Sequence, residues 1–194
     1  PEPIAETAIS VARWFIRRPM PVACSTAAVA AVGVDILQIG VETVKGIVGI
    51  VPVFDSVNSV WRDAAPKPTP VADATAVELF GELYVPGGRL ENGQATAVVE
   101  AYSPTQDAWR PIASLPQPLA GGLTISDGAF LYVFGGWDGE NYLDTAFKYD
   151  PSADSWRPLP AMPQARAFTT GGELTGNLAV VGGENEQGES AKCL

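Results

Sequence analysis

The sequence predicts an all-β fold built from four-stranded antiparallel units, about four of them, repeating every 47–48 residues. Three observations predict it. Trp14, Trp61, Trp109 and Trp156 stand 47, 48 and 47 residues apart, and self-similarity at such a period marks a repeat architecture. The 194 residues include 20 Gly and 17 Pro, punctuation that favours many short elements over a few long helices. Between these breaks lie short runs of β-branched, aromatic and aliphatic residues, the composition of strands.

Each strand of the unit has its own warrant. Asp127-Gly128 separates Leu123-Thr124-Ile125 from Phe130-Leu131-Tyr132-Val133, so strands A and B form a tight hairpin. Thr175-Gly176-Asn177 does the same one period later. Strand B ends at a double glycine: Gly87-Gly88, Gly135-Gly136 and Gly182-Gly183. In the first period, Gly40 keeps the spacing of Gly88, Gly136 and Gly183. Strand C carries an aromatic, Phe54, Tyr102 or Tyr149, seven residues before the strand D tryptophan. Asp150-Pro151-Ser152-Ala153-Asp154 is the turn between the two. Pro21, Pro68, Pro116 and Pro163 follow the tryptophans by seven residues. Pro19–Val34 is too short and too interrupted for a membrane span and is expected as buried β structure. Residues 4–16 have apolar positions at helical spacing, but the repeat phase assigns them to strands.

Composition excludes several functions. The chain holds 12 Lys+Arg against 22 Asp+Glu, a formal charge of -10, which argues against nucleic acid or an anionic membrane as main partner. It has no histidine, so no imidazole base or ligand comes from it. Two cysteines cannot build a dense disulfide framework, and Cys24 is expected to face the core of an inner strand. No Gly-rich phosphate loop, nucleophile elbow or zinc ligand set is present.

The double glycine after an apolar strand, Tyr149-Asp150-Pro151, Tyr102-Ser103-Pro104, the Tyr-to-Trp spacing and Met162-Pro163 with Arg166 together resemble the Kelch family. The resemblance runs from about Trp14 to Gly183 and is weakest from 20 to 61, where Phe54-Asp55-Ser56 replaces Tyr-Asp-Pro. It implies a β-propeller with one blade per repeat. Strands C and D of a first blade fall in 1–19, whole blades in 20–66 (degenerate), 67–114 and 115–161, and strands A and B of a last blade in 162–194. Either the terminal pairs join in a composite blade that closes a small ring, or the chain is part of a larger propeller completed by further blades. A start at Pro1 instead of Met fits a processed chain or a fragment.

The resemblance also places a binding face at the loops after the double glycine, roughly 41–50, 89–97, 137–144 and 184–190. Candidate binding residues there are Arg89, Glu91, Asn92, Trp137, Asp138, Glu140, Asn141, Tyr142, Glu184, Asn185 and Glu186, with Arg166 added as the one arginine at the family's position, where a structural ion pair or carbonyl contact between blades is favoured over recognition of an acidic group. Cys24, Val71 and Leu119 stand at its equivalents. Acids outnumber bases on these loops, which suits a basic protein or peptide partner. The opposite face also holds acids, including Asp55, Asp107, Asp127, Asp150 and Asp154, expected mostly in Asx-type turns. Asp138, Glu140 and Asp144 offer oxygen ligands but lack the EF-hand pattern, so no metal and no cofactor are expected. The expected function is a non-catalytic Kelch binding or scaffold module. The alternatives are a carbohydrate-binding or epimerase-like propeller using Glu140, Glu184 and Arg166, or a structural part of a larger assembly. Low lysine content and the export of many bacterial members of the family suggest a bacterial extracytoplasmic or cell-surface setting.

Overall fold

The computed structural model describes residues 17–189. Trp14, Cys193 and the expected strands within residues 1–16 lie outside this range. The described chain is all-β, with no helix. Counting blades from the first whole one (20–66), the first holds β1 (Ala28–Val32) and β2 (Asp35–Ile39), followed by a small hairpin, β3 (Val41–Thr43) and β4 (Gly46–Val48), and then by β5 (Val51–Asp55) and β6 (Val60–Ala64). The second blade holds β7 (Val77–Leu79), β8 (Glu82–Pro86), β9 (Val99–Ser103) and β10 (Ala108–Pro111). The third holds β11 (Leu123–Ser126), β12 (Leu131–Phe134), β13 (Ala146–Asp150) and β14 (Ser155–Leu159). The fourth contributes β15 (Thr170–Leu174) and β16 (Asn177–Val181), then a hairpin of β17 (Glu184–Asn185) and β18 (Gly188–Glu189). Three sheets are four-stranded antiparallel meanders, and β15–β16 is a two-stranded sheet. Strand pairing does not close the ring among the described residues.

The two-residue turns follow from local sterics. Phe80-Gly81 and Thr175-Gly176 both take positive φ, 54° and 81° in one turn, 53° and 81° in the other, the twist that suits a hairpin. The pleat then sorts the side chains. Ala28 and Ala30 are buried in β1, whereas Val29 is 63% exposed, so the Pro19–Val34 stretch is half-buried and not the fully buried strand its composition suggests. Among the described residues, only one face of the first sheet meets a neighbouring sheet.

Packing between neighbouring blades forms the core. Leu37, Ile39, Val51 and Val53 of the first blade pack on Leu83, Val85 and Tyr102 of the second. Leu79, Tyr84, Val99 and Ala101 of the second pack on Leu131, Val133, Phe147 and Tyr149 of the third. Leu123 and Ile125 of the third meet Val180 of the fourth. Each such buried aliphatic side chain contributes about 1.5–3 kcal/mol.

The repeated aromatics fasten one blade to the preceding one. Tyr102 pairs directly with Trp109, and Tyr149 with Trp156, across strands C and D. The Trp109 indole N–H donates to the Ala65 carbonyl at 2.8 Å, and that of Trp156 to the Ala113 carbonyl at 2.8 Å. Asp107 accepts from both the Tyr102 hydroxyl (2.7 Å) and the Ala65 amide (2.8 Å). Asp154 does the same with Tyr149 (2.7 Å) and Ala113 (2.9 Å). These two aspartates therefore bridge blades, whereas Asp55, Asp127 and Asp150 cap their own turns.

The double glycine has two different jobs. Gly87 and Gly135 have φ of 67° and 61°, and a Cβ on either would run into a backbone carbonyl of the following repeat, that of Leu119 or Arg166. The second glycine donates its N–H to that same carbonyl, Gly88 to Leu119 and Gly136 to Arg166, both at 2.8 Å. Gly40, with φ of 71°, faces the Val71 carbonyl in the same way. It is the equivalent of Gly87 and not, as spacing suggested, of Gly88. Val41 fills the second position, so the first blade keeps the glycine that sterics demand.

Candidate functional site

The loops between the second and third strands of successive blades lie side by side. Their first residues are Glu42, Arg89, Trp137 and Glu184, which form bridges with Ser25, Ala72, Ala120 and Ala167 at the start of each blade. The residues after those four, Thr26, Asp73, Gly121 and Phe168, all take φ between 51° and 65°. Gly121 N–H donates to the Asp73 carbonyl at 2.6 Å, and Phe168 N–H to the Gly121 carbonyl at 2.7 Å. A backbone chain thus links the second, third and fourth blades and holds their loops in register.

The first two loops are sealed to each other. Arg89 donates from Nε to Asp73 at 2.6 Å and from Nη2 to Glu42 at 2.8 Å. Glu91 accepts from the Ile47 amide at 2.6 Å, which anchors it to the β3–β4 hairpin. Both candidate residues are therefore committed within the protein. Asp73 and Glu42, which hold Arg89, carried no motif of their own.

Between the second and third loops the surface opens into a crevice of about 660 Å³, lined by Asn92, Gln94, Pro118, Asp138 and Glu140 among others. Asn92 and Gln94 bond to each other side chain to side chain at 2.9 Å. Asp138 accepts from the amides of Asn141 and Glu140, each at 2.8 Å. Those two backbone bonds hold its carboxyl below the usual range. They also shape the loop so that Glu140 and Asn141 are exposed. Trp137 and Tyr142, both half-buried, pair across the base of this loop as a miniature hairpin.

Between the third and fourth loops lies a second crevice of about 250 Å³, lined by Tyr142, Gln164, Ala165, Asn185, Glu186 and Gln187. Tyr142 donates to Glu184 at 3.5 Å. Asn185 accepts from the Gln187 amide at 2.9 Å, the turn that Asp138 makes one repeat earlier. Phase relates the two crevices: Ala165, Asn185 and Gln187 each follow Pro118, Asp138 and Glu140 by 47 residues. Gln94, Gln164 and Gln187 were not singled out from the sequence, although that phase points to two of them.

Arg166 corrects the candidate list. It is fully buried, at the phase occupied by buried Val71 and Leu119. Its guanidinium donates to the Gly182 carbonyl at 2.9 Å and to Gln164 Oε1 at 3.1 Å. These acceptors hold the buried guanidinium, so it does not join Glu140 and Glu184 as a surface acid–base set. Cys24 is half-buried and accepts from Gln38 at 2.6 Å. Among the described residues no group of three metal-ligating side chains comes together, and no helix is long and apolar enough to cross a membrane.

Comparison with known proteins agrees with this geometry. Residues 70–116 and 131–163 match the Kelch motif. Kelch-like protein terF of Aspergillus terreus (strain NIH 2624 / FGSC A1156) is 33% identical over 91 residues, 44% of this chain and 20% of that protein. The solved structure of YjhT is similar in fold, with a TM-score of 0.75 at 16% identity, covering 84% of this chain and 60% of that one. The match thus spans about a fifth of the curated relative.

Proposed function

We propose, on the premise that this chain is a Kelch-repeat protein, that it is a non-catalytic binding module holding a basic segment of a protein partner in the crevice between its second and third blades. Kelch repeats generally serve protein interaction. The observation that carries the reading is the crevice itself. It is lined by Asp138, Glu140 and amide side chains and by no cation. Arg89, three residues before Asn92, is neutralised by Asp73 and Glu42. Glu140 is exposed and bonds through its carboxylate to nothing among the described residues. An overall charge of -10 adds a field that steers a cationic partner inward.

The test is an array of basic decapeptides probed with the wild-type chain and with Glu140→Lys. Reversing one charge in the crevice should weaken the best binder about tenfold or more, and added salt should narrow that gap. Equal binding by the two proteins, with circular dichroism confirming that both are folded, would sink the proposal.

A further inference from the structure

The two crevices are the same place in successive repeats with different chemistry. Asp138 in the first is replaced by Asn185 in the second, and Glu140 by Gln187. Both turns keep one geometry, since Asp138 and Asn185 each accept a backbone N–H from two residues ahead. What changes is what the wall offers. A carboxylate only accepts hydrogen bonds, whereas an amide whose oxygen is engaged presents its NH2.

The orientation of the second set follows from chemistry. A guanidinium can only donate, so the bond from Arg166 Nη2 requires the oxygen of Gln164 to face it. Gln164 Nε2 is the end left for the crevice. The Gln187 amide likewise engages Asn185 Oδ1 and leaves Nδ2. Gln117, one repeat earlier, differs: its amide donates at 3.1 Å to Thr145 inside the third blade. Arg166 is held in turn: its guanidinium donates to the Gly182 carbonyl at 2.9 Å and its backbone N–H to the Leu143 carbonyl at 2.9 Å. The fold has thus placed one buried arginine behind one surface amide. Glu186, on the same wall, supplies an acceptor.

We infer that the crevice between the third and fourth blades is a second subsite, which reads the main chain of the partner segment whose basic side chain enters the first crevice. A peptide unit has an acceptor edge and a donor edge. Its carbonyl takes the amide hydrogens of Gln164 and Asn185, and its N–H reaches Glu186. Arg166 is a positioning residue that fixes Gln164. This inference rests on the proposed basic-segment reading, and an extended chain running across the blades would meet the two crevices in turn.

The experiment uses the best decapeptide from the array and its backbone-ester analogues, in which one amide at a time is replaced by an ester. An ester carbonyl is a weaker acceptor, and an ester has no N–H to give Glu186. For the wild-type chain, one ester position should weaken binding about five- to tenfold. Gln164→Glu should shrink that effect severalfold, because the new carboxylate still accepts from Arg166 but has no NH2 to give; what remains is the bond to Asn185 and the N–H lost to Glu186. Arg166→Met should shrink it as well, while an apolar side chain at the phase of Leu119 keeps the protein folded. A flat ester scan, or an ester effect undiminished in Gln164→Glu, overturns the subsite. If Glu140→Lys binds normally while the ester effect is present, the subsite stands and the basic-segment reading falls. If no decapeptide binds at all, both fall.

Discussion

At the scale of single residues, Tyr102 and Asp107 show how much chemistry one repeat position carries. Burial, helped by the bond to Asp107, pushes the Tyr102 hydroxyl up to about 12. The Ala65 amide, then the Tyr102 hydroxyl, hold Asp107 below its ordinary 3.8. As pH falls past 3.8, the unfolded chain takes up a proton on this group before the folded one does. Stability from this contact is therefore present above that value and lost as pH drops through the lower folded value. Urea midpoints measured between about pH 2 and 5 should fall steeply for the wild type and less steeply for Asp107→Asn. Tyr102→Phe should cost about 1 kcal/mol at neutral pH. The glycines make a second contrast. Gly81→Ala meets nothing within 4 Å and should cost only the left-handed backbone penalty, about 1–2 kcal/mol. Gly87→Ala meets the Leu119 carbonyl as well and should cost clearly more, as thermal melts of the pair would show. The tyrosine phase was legible in the sequence. The reach of Asp107 to another blade was not, because an aspartate in a turn looks the same whichever amide it accepts.

At the scale of elements, the contact between the first two blades contains an ion pair that the repeat does not call for. Lys67 and Glu100 are bonded with side chains only 1% and 7% exposed, and Thr69 Oγ1 donates to the same carboxylate at 3.0 Å. Burial lowers the Lys67 pKa against the opposing pull of Glu100. One repeat later the same phases hold Leu115 and Phe147, both in the core. Removing one partner leaves a buried charge alone, so Lys67→Leu and Glu100→Phe should each cost about 3–5 kcal/mol. The double variant copies the third blade and should recover most of that loss or exceed wild-type stability. Denaturant titration of all four proteins closes the cycle. A double variant as unstable as the sum of the singles would show that the pair itself, and not its volume, holds the blades together.

At the scale of the whole molecule, stability comes from stacking. The second and third blades have a neighbour on each side, whereas the contact of β15–β16 with its neighbour is small among the described residues, Leu123 and Ile125 against Val180 with partly buried Phe134 and Met162 beside them. Stacked repeats draw their stability from nearest-neighbour interfaces. Hydrogen exchange should therefore find the amides of β8, β9, β12 and β13 slowest and those of β15 and β16 faster by orders of magnitude. Uniform protection would mean that the sheets fold as one indivisible unit. The arrangement that fixes this gradient also fixes the proposed binding face, because each crevice lies between two stacked loops.

The sequence by itself determined the unit, its length and its packing residues. Trp109, Tyr149 and Gly135 recur because each blade repeats the same local problem, and a local problem leaves a local mark. It also determined the acidity of the loop face, which is a matter of counting. Only the tertiary structure decided which loop residues are available. Arg89 and Glu91 were candidates for a ligand and are tied to the first blade, while Arg166, open between an acidic ligand and a structural contact, lies in the core. Gln164 and Gln187 looked ordinary and line a crevice. The reason is distance along the chain. A side chain's partner in the adjacent blade lies some forty residues away, and periodicity states that an interface recurs without stating which atoms meet across it.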